Sequence, residues 1–255
     1  MRRAFTCLVL LGAVALCLPL AAYAAPAVTF KAVAVPIPGF PHTGNIRGAG
    51  TALRLEYTIR GSEYGGFPPP LIGVNFYTPA GSRIDTRGFA TCSPAALEKV
   101  GPSACPKKSK VTIAGEALGI VSFGSERVEE RVSIKGYFAP GGRLQFYTQG
   151  DSPVALEFLS PGRYVGSGGL YAQKFITAVP LVETVPGAPD ASALSIKVTV
   201  GAAYRRGRKT VYYGTMPTKC HRGGLPLKSE LVFAGLGGLP EQTVPVTYKA
   251  PCPRK

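Results

Sequence analysis

The feature that most constrains this chain is an alternation of apolar and polar residues that recurs along its length. Over residues 52–59 it places Leu53, Leu55, Tyr57 and Ile59 on one side of an extended segment, because successive side chains of a β-strand point to opposite faces. The same period of two appears in four further segments: 28–35, 143–148, 194–200 and 244–248. This pattern predicts strands with one buried face rather than amphipathic helices.

These strand segments are short and are separated by turns. Glycine and proline, 32 and 24 residues of the chain, interrupt the apolar runs at short intervals, as is typical of tightly connected strands. A longer strand is predicted over 128–138, with Val132, Ile134 and Phe138 facing inward. The predicted fold class is therefore all-β, a β-sandwich or jelly-roll-like arrangement, in one domain over 25–255. Residues 184–192, the best candidate for a boundary between two domains, are interpreted as a long loop.

One segment departs from strand periodicity. Residues 93–100 are predicted to form a short helix, with Ser93 as its N-cap and Pro94 in the first helical position. Gly101 ends the helix. The helix lies between Cys92 and Cys105.

The first 24 residues have the three parts of a secretory signal peptide. Arg2 and Arg3 precede an apolar stretch, and Ala22 and Ala24 supply the small side chains that signal peptidase requires. We expect cleavage after Ala24 and a secreted or cell-wall-associated mature chain. The adjacent arginines also fit a twin-arginine signal, so the general and twin-arginine export routes both stay open. The apolar stretch is shorter than a good membrane anchor needs, so none is expected in the mature chain.

Cleavage leaves four cysteines: Cys92, Cys105, Cys220 and Cys252. An even number of cysteines in an exported chain indicates disulfides, here two. Three pairings are possible, and proximity in sequence favours Cys92–Cys105 and Cys220–Cys252. A structural zinc site is the alternative, but no two of these cysteines have the close spacing that zinc sites use, so no metal is expected.

The segments around these cysteines resemble a known group of proteins. In 92–94 a Cys-Ser-Pro sequence opens the predicted helix, and in 104–111 the sequence Ala-Cys-Pro-Lys-Lys-Ser-Lys-Val leads into a strand. Here and in the tail from Cys220 to Cys252, the chain is similar to uncharacterised secreted β-sandwich proteins of actinobacteria. The resemblance implies export, disulfides and a β-sandwich, and it brings no activity or catalytic residue. The basic segment 204–209 has no counterpart in that pattern.

Residues with catalytic chemistry are few. The chain has two histidines, His42 and His221, and no Gly-x-Ser-x-Gly motif frames a serine. Glu129 and Glu130 are adjacent carboxylates, but side by side in a strand they point to opposite faces, whereas glycosidase carboxylates face each other across a sugar. We interpret both as solvent-exposed strand-edge charges. No catalytic residue, metal ligand or cofactor is predicted, and a non-enzymatic role is favoured.

The mature chain is strongly basic. Removing Arg2 and Arg3 from the 29 Lys and Arg leaves 27 against 14 Asp and Glu, a net charge of about +13, which favours polyanionic partners. The most basic segment is predicted to be a hairpin with Gly207 in its turn. Its candidate ligand-binding residues are Tyr204, Arg205, Arg206, Arg208, Lys209, Tyr212 and Tyr213.

Two functions of different classes are compatible with the sequence. The first is a non-enzymatic secreted protein whose basic hairpin contacts an anionic cell-envelope polymer or polysaccharide, with no specific nucleic acid as partner. The second is a carbohydrate-binding or carbohydrate-active module on a jelly-roll scaffold, although the chain has no tryptophan to form a sugar platform. A groove lined by tyrosines with two converging carboxylates would favour the second. The oligomeric state is not predicted.

Overall fold

The computed structural model describes residues 25–220, 223–236, 238 and 240–254. The predicted signal peptide over 1–24 and His221 lie outside the described residues. The helices are α1 (Pro94–Val100) and three short 3-10 turns, Pro102–Ala104, Lys107–Ser109 and Pro140–Gly142. The strands are β1 (Ala27–Val35), β2 (Ala52–Arg60), β3 (Leu71–Pro79), β4 (Arg83–Ile84), β5 (Thr112–Phe123), β6 (Glu126–Ala139), β7 (Arg143–Gly150), β8 (Leu156–Gly166), β9 (Tyr171–Ala178), β10 (Ser192–Val200), β11 (Ala203–Arg206), β12 (Lys209–Tyr212), β13 (Gly214–Thr215), β14 (Leu225–Phe233) and β15 (Gln242–Ala250).

Eleven of these strands form one antiparallel sheet in the order β1-β2-β10-β5-β6-β7-β8-β9-β3-β14-β15. The segment 184–192 connects two strands of this same sheet, since it follows β9 and its last residue, Ser192, begins β10. The two remaining pairs are small: β11 with β12, and β4 with β13. The prediction of an all-β fold is confirmed.

The sheet curls until its two edge strands lie side by side. The ring of Phe30 on β1 meets the ring of Tyr248 on β15 edge to face, with 6.2 Å between centroids. Phe30 also reaches Phe76 on β3 at 6.3 Å, and Tyr57 on β2 hydrogen-bonds Ser229 on β14 at 3.1 Å. The two halves of one sheet therefore face each other across a common core, as the layers of a sandwich do.

The predicted periodicity identifies the core face correctly. Leu55, Tyr57 and Ile59 are at most 9% exposed, whereas Thr58, on the opposite face, is exposed. The same face continues across neighbouring strands. Tyr57 is opposite Ile196 of β10, and Ile196 is opposite Ala117 of β5. Rows of inward side chains built in this way supply the buried apolar area that stabilises the fold.

The short helix and both disulfides are confirmed. The Ser93 side chain accepts a hydrogen bond from the Ala96 N–H at 3.2 Å, and Pro94 begins the helix as predicted. Disulfides join Cys92 to Cys105 and Cys220 to Cys252. The first of them packs with Leu97 of the helix against Tyr137 and Tyr147 on the outside of the sheet, so helix α1 covers the outer face of β6 and β7.

The interior of the curled sheet is not completely filled. An apolar cavity of about 430 Å³ lies within it, with a wall formed by the inner faces of β1, β2, β3, β5, β6, β7, β8, β9, β10, β14 and β15. We refer to this space as the interior cavity. Packed protein cores leave few voids larger than a water molecule, so a space of this size is unusual.

Candidate functional site

The basic segment forms the predicted hairpin. Strands β11 and β12 pair with Arg205 opposite Thr210 and Arg206 opposite Lys209. Gly207 lies in the connecting turn with φ of +61°, a left-handed conformation that glycine adopts at little cost. The side chains of Arg205, Arg206, Arg208 and Lys209 are exposed. Within the part of the chain that the structure describes, none of these four cations forms a salt bridge.

The three candidate tyrosines lie in different environments. Tyr204 is half-buried, packs edge to face on Phe89 at 4.9 Å, and donates a hydrogen bond from its hydroxyl to the Arg87 carbonyl at 3.4 Å. Tyr212 lies over Gly50, where a Cβ atom would come within 2.0 Å of the ring. Any side chain at position 50 would therefore displace the ring of Tyr212.

Tyr213, in contrast, belongs to the interior. It is 3% exposed, lines the interior cavity and shares a hydroxyl–hydroxyl hydrogen bond with Tyr164. Burial raises the pKa of Tyr213 well above its ordinary value. Since its ring does not reach the surface, Tyr213 is not available to a polymer that lies on the hairpin. Of the seven candidate ligand-binding residues, it is the one that the structure separates from the others.

A second basic segment lies beside the hairpin. Lys107, Lys108 and Lys110 line one open groove together with Tyr204 and Arg205. We call this surface the basic groove. All three lysines are exposed, and no salt bridge involves them within the described residues. The groove has no Asp or Glu side chain in its lining, so no acidic lining residue offsets its cations.

Backbone contacts hold the two segments together. The Gly201 N–H, just before β11, donates a hydrogen bond to the Val111 carbonyl at 2.9 Å, and the Val111 N–H donates to the Gly136 carbonyl at 2.8 Å. Ser109 is completely buried and donates from its hydroxyl to the Pro106 carbonyl at 2.6 Å. These hydrogen bonds hold the turn that carries Lys107, Lys108 and Lys110 beside the start of β11.

Aromatic side chains also line this surface, and a nearby acidic side chain, Asp85, is already paired. Phe40, Phe89 and Tyr204 line the groove, and Phe89 is stacked on the buried ring of Phe138 at 4.3 Å. Asp85 lies near the hairpin, but Arg87 binds its carboxylate through two side-chain hydrogen bonds of 2.9 and 3.0 Å. These hydrogen bonds lower the pKa of Asp85. Asp85 therefore already has a cationic partner, and the groove cations do not.

The adjacent carboxylates of β6 point to opposite faces, as predicted. Glu129 is exposed and Glu130 is 1% exposed, so they do not converge on one site. The interpretation of Glu130 as a solvent-exposed charge is wrong, because β6 lies between β5 and β7 and its inner face lines the interior cavity.

His42 is exposed in a turn with φ of +59°. Across the described ranges, no three His, Cys, Asp or Glu side chains are placed to hold a metal ion.

The most interconnected charged cluster lies on the outer face, away from the groove. The Glu230 carboxylate accepts hydrogen bonds from Tyr77 at 2.8 Å and Lys174 at 3.1 Å, and Lys228 lies 2.7 Å from it. Partial burial alone would raise the pKa of Glu230, but hydrogen bonds from Lys228, Tyr77 and Lys174 outweigh it and lower that pKa from 4.5 to about 2. These lysines are engaged by a carboxylate, unlike the lysines of the groove.

The lowered pKa of Glu230 gives the fold a measurable acid sensitivity. The stability that this carboxylate contributes is fully present above its ordinary pKa of 4.5 and is lost as the pH falls through about 2. Glu230→Gln is therefore expected to be less stable than the wild type at pH 7 and to lose less stability between pH 4.5 and 2. Denaturant unfolding across this range measures both effects. The matched control is Glu98→Gln, an exposed carboxylate on α1; equal pH slopes in all three proteins would contradict the prediction.

None of the described helices is long and apolar enough to cross a membrane.

Comparisons with known proteins do not identify a family for this chain. The resemblance to secreted actinobacterial proteins stays a prediction. No protein-family model, no curated protein and no solved structure matches this chain.

Proposed function

We propose that this is a non-enzymatic, secreted or cell-envelope-associated protein that binds an anionic envelope polymer along the basic groove. One observation carries the proposal: Lys107, Lys108 and Lys110 line the same groove as Arg205, almost a hundred residues later in the chain. Two basic segments from distant parts of the sequence thus supply one continuous positive surface. The remaining hairpin cations, Arg206, Arg208 and Lys209, extend that surface to the exposed tip.

The physical basis is the release of counterions. A polyanion carries condensed counterions along its length, and the clustered cations of the groove release them when the polymer binds. The rings of Phe40, Phe89 and Tyr204 add apolar surface in the groove, on which sugar or other ring faces can lie. Phosphate- or carboxylate-bearing polysaccharides of a cell wall combine both features, so they are the proposed ligand class.

The alternative, a carbohydrate-active module, has less support. Its reaction needs two carboxylates across a sugar, whereas Glu129 is exposed and Glu130 lies inside the sheet. A carbohydrate-binding role without catalysis is weakened by the absence of tryptophan, the side chain that sugar platforms favour. The two disulfides support the secreted location, since such bonds persist in oxidising compartments.

Two groove variants test the proposal. The first replaces Arg205, Arg206, Arg208 and Lys209 by Ser, and the second replaces Lys107, Lys108 and Lys110 by Ser. Each is expected to weaken binding to purified wall teichoic acid by about tenfold or more and to reduce the salt dependence of the affinity, because each removes several phosphate contacts. Unfolding free energies are expected to stay within about 0.5 kcal/mol of the wild type, because the substituted side chains are exposed.

The control removes four positive charges elsewhere, as many as the hairpin variant and one more than the lysine variant. Lys31, Arg60, Arg131 and Lys249 are exposed cations on β1, β2, β6 and β15 that do not line the groove, and their replacement by Ser is expected to weaken binding no more than two- to threefold. If the control weakens binding as much as the groove variants do, the protein binds polyanions through diffuse charge and the proposed site is wrong.

A further inference from the structure

The interior cavity has the size and wall of a small-molecule site. Its volume of about 430 Å³ lies within the range of ligand pockets, and its wall is mainly aliphatic and aromatic. The space exists because several inward positions carry little or no side chain. Ala32 and Ala34 on β1 and Ala117 and Gly119 on β5 all line it. Larger side chains at these positions would fill the interior to the packing density of most protein cores.

Most polar groups in the wall already have partners. The Tyr57 hydroxyl is hydrogen-bonded to Ser229, the Tyr164 and Tyr213 hydroxyls are bonded to each other, and the Thr177 hydroxyl donates to the Val74 carbonyl at 2.7 Å. These groups are satisfied without a ligand. They therefore do not specify what chemistry the cavity receives.

Two side chains in the wall are different: Asn45 Oδ1 and Glu130 Oε1 are both buried without a hydrogen-bond partner among the described residues. Glu130 is the more deeply buried of the two. Its side chain is almost completely buried and lines the cavity. One oxygen, Oε2, accepts a hydrogen bond from the Val154 N–H at 3.1 Å. The other, Oε1, is buried without a hydrogen-bond partner among the described residues. A buried acceptor left unpaired is costly, so a donor that reaches it gains more than the same donor would gain in water.

The neighbours of Glu130 fix the position of its carboxylate. Glu130 pairs directly with Gly119 of β5, and a Cβ atom at Gly150 of β7 would lie 2.6 Å from Glu130 Oε1. The absence of side chains at these two glycines makes room for the carboxylate against the wall of the sheet. The Val154 hydrogen bond then orients it, so that Oε1 is the free acceptor.

We propose that the interior cavity binds a small apolar molecule carrying one hydrogen-bond-donating group, a hydroxyl or an ammonium, which bonds to Glu130 Oε1. An ammonium makes the stronger, charge-assisted bond, and a carboxylate of the same length is rejected because it offers no hydrogen-bond donor. This site is separate from the basic groove in location and in ligand chemistry. Either proposal can fail without the other.

Calorimetric titration with decylamine, decanol and decanoic acid tests this selectivity on the full mature protein. The wild type is expected to bind the amine and the alcohol at least about tenfold more tightly than the acid. In Glu130→Gln the amide oxygen can keep the Val154 hydrogen bond and the amide nitrogen becomes a donor. The amine is therefore expected to lose about tenfold in affinity and the acid to gain. Glu129→Gln makes the same change of charge on the exposed face and is expected to alter none of the three affinities.

A second variant locates the ligand even if Glu130→Gln does not fold. Ala117→Leu takes up cavity volume near Glu130, since Ala117 lines the cavity and is opposite Val132 on β6. It is expected to weaken binding of amine and alcohol alike by about tenfold. Equal affinity for the three ligands in the wild type, unchanged binding in Ala117→Leu, or no measurable binding of amine or alcohol each overturns the proposal.

Discussion

Replacement of Phe138 by alanine is expected to lower the free energy of unfolding by about 3–5 kcal/mol, the range for a large aromatic residue removed from a packed core. Phe138 on β6 is 1% exposed. Its ring stacks on Phe89 at 4.3 Å and meets Tyr213 edge to face at 5.3 Å. The substitution removes these contacts and leaves a cavity between the core and the floor of the basic groove. Urea unfolding followed by circular dichroism measures the change.

Phe123 provides a control of the same residue type. It ends β5 and is 53% exposed, so Phe123→Ala is expected to change stability by no more than about 0.5 kcal/mol. A loss below about 1 kcal/mol for Phe138→Ala, or equal losses for the two variants, would show that the interior around Phe138 is not packed as described.

Removal of the Cys220–Cys252 disulfide is expected to cost about 3.5 kcal/mol. The bond closes a loop with a sequence separation of 32, and cross-linking over such a distance restricts the unfolded chain. It also secures the C-terminal segment, in which the Arg254 N–H donates to the Asn45 carbonyl at 3.0 Å and the Arg47 N–H donates to the Arg254 carbonyl at 3.0 Å. Unfolding of the double variant Cys220→Ala/Cys252→Ala against the oxidised wild type measures the loss.

The other disulfide serves as the comparison. Cys92–Cys105 has a sequence separation of only 13, so chain entropy predicts a cost of about 3 kcal/mol. Cys92 is also 2% exposed beside Leu97, and loss of its buried sulfur adds a packing cost to Cys92→Ala/Cys105→Ala. If the Cys220–Cys252 variant unfolds at the wild-type denaturant concentration, the stabilisation argued for that bond is wrong.

The local structure of this protein could be predicted from its sequence because each signal acts over a few residues. Alternation identified β2 and its buried face, Ser93 and Pro94 identified the start of α1, and proximity identified both disulfides. The order of strands in the sheet could not be predicted. β2 pairs with β10 and β3 pairs with β14. The alternation of apolar and polar residues does not identify which distant strands are neighbours in the sheet.

In both candidate sites, the residues that only the tertiary fold brings together could not be predicted from the sequence. The hairpin 204–209 was recognisable because four cations fall within five residues. Its neighbours Lys107, Lys108 and Lys110 were not, since only the tertiary fold brings them into one groove. Tyr213 follows Tyr212 directly and still lies inside, because the chain turns into the core at the end of β12. Glu130 was interpreted as an ordinary surface charge because the sequence does not show that the inner face of β6 lines the interior cavity. A glutamate in line with Val132 and Ile134 was the available signal.

Lysine acetylation, followed residue by residue by mass spectrometry with and without bound teichoic acid, tests the basic groove most directly. The account predicts that Lys107, Lys108, Lys110 and Lys209 react several times more slowly in the complex, because the polymer covers their amines, while Lys31 and Lys249 react at unchanged rates. A uniform slowing of all six lysines, or protection confined to Lys31 and Lys249, would contradict the groove as the binding site.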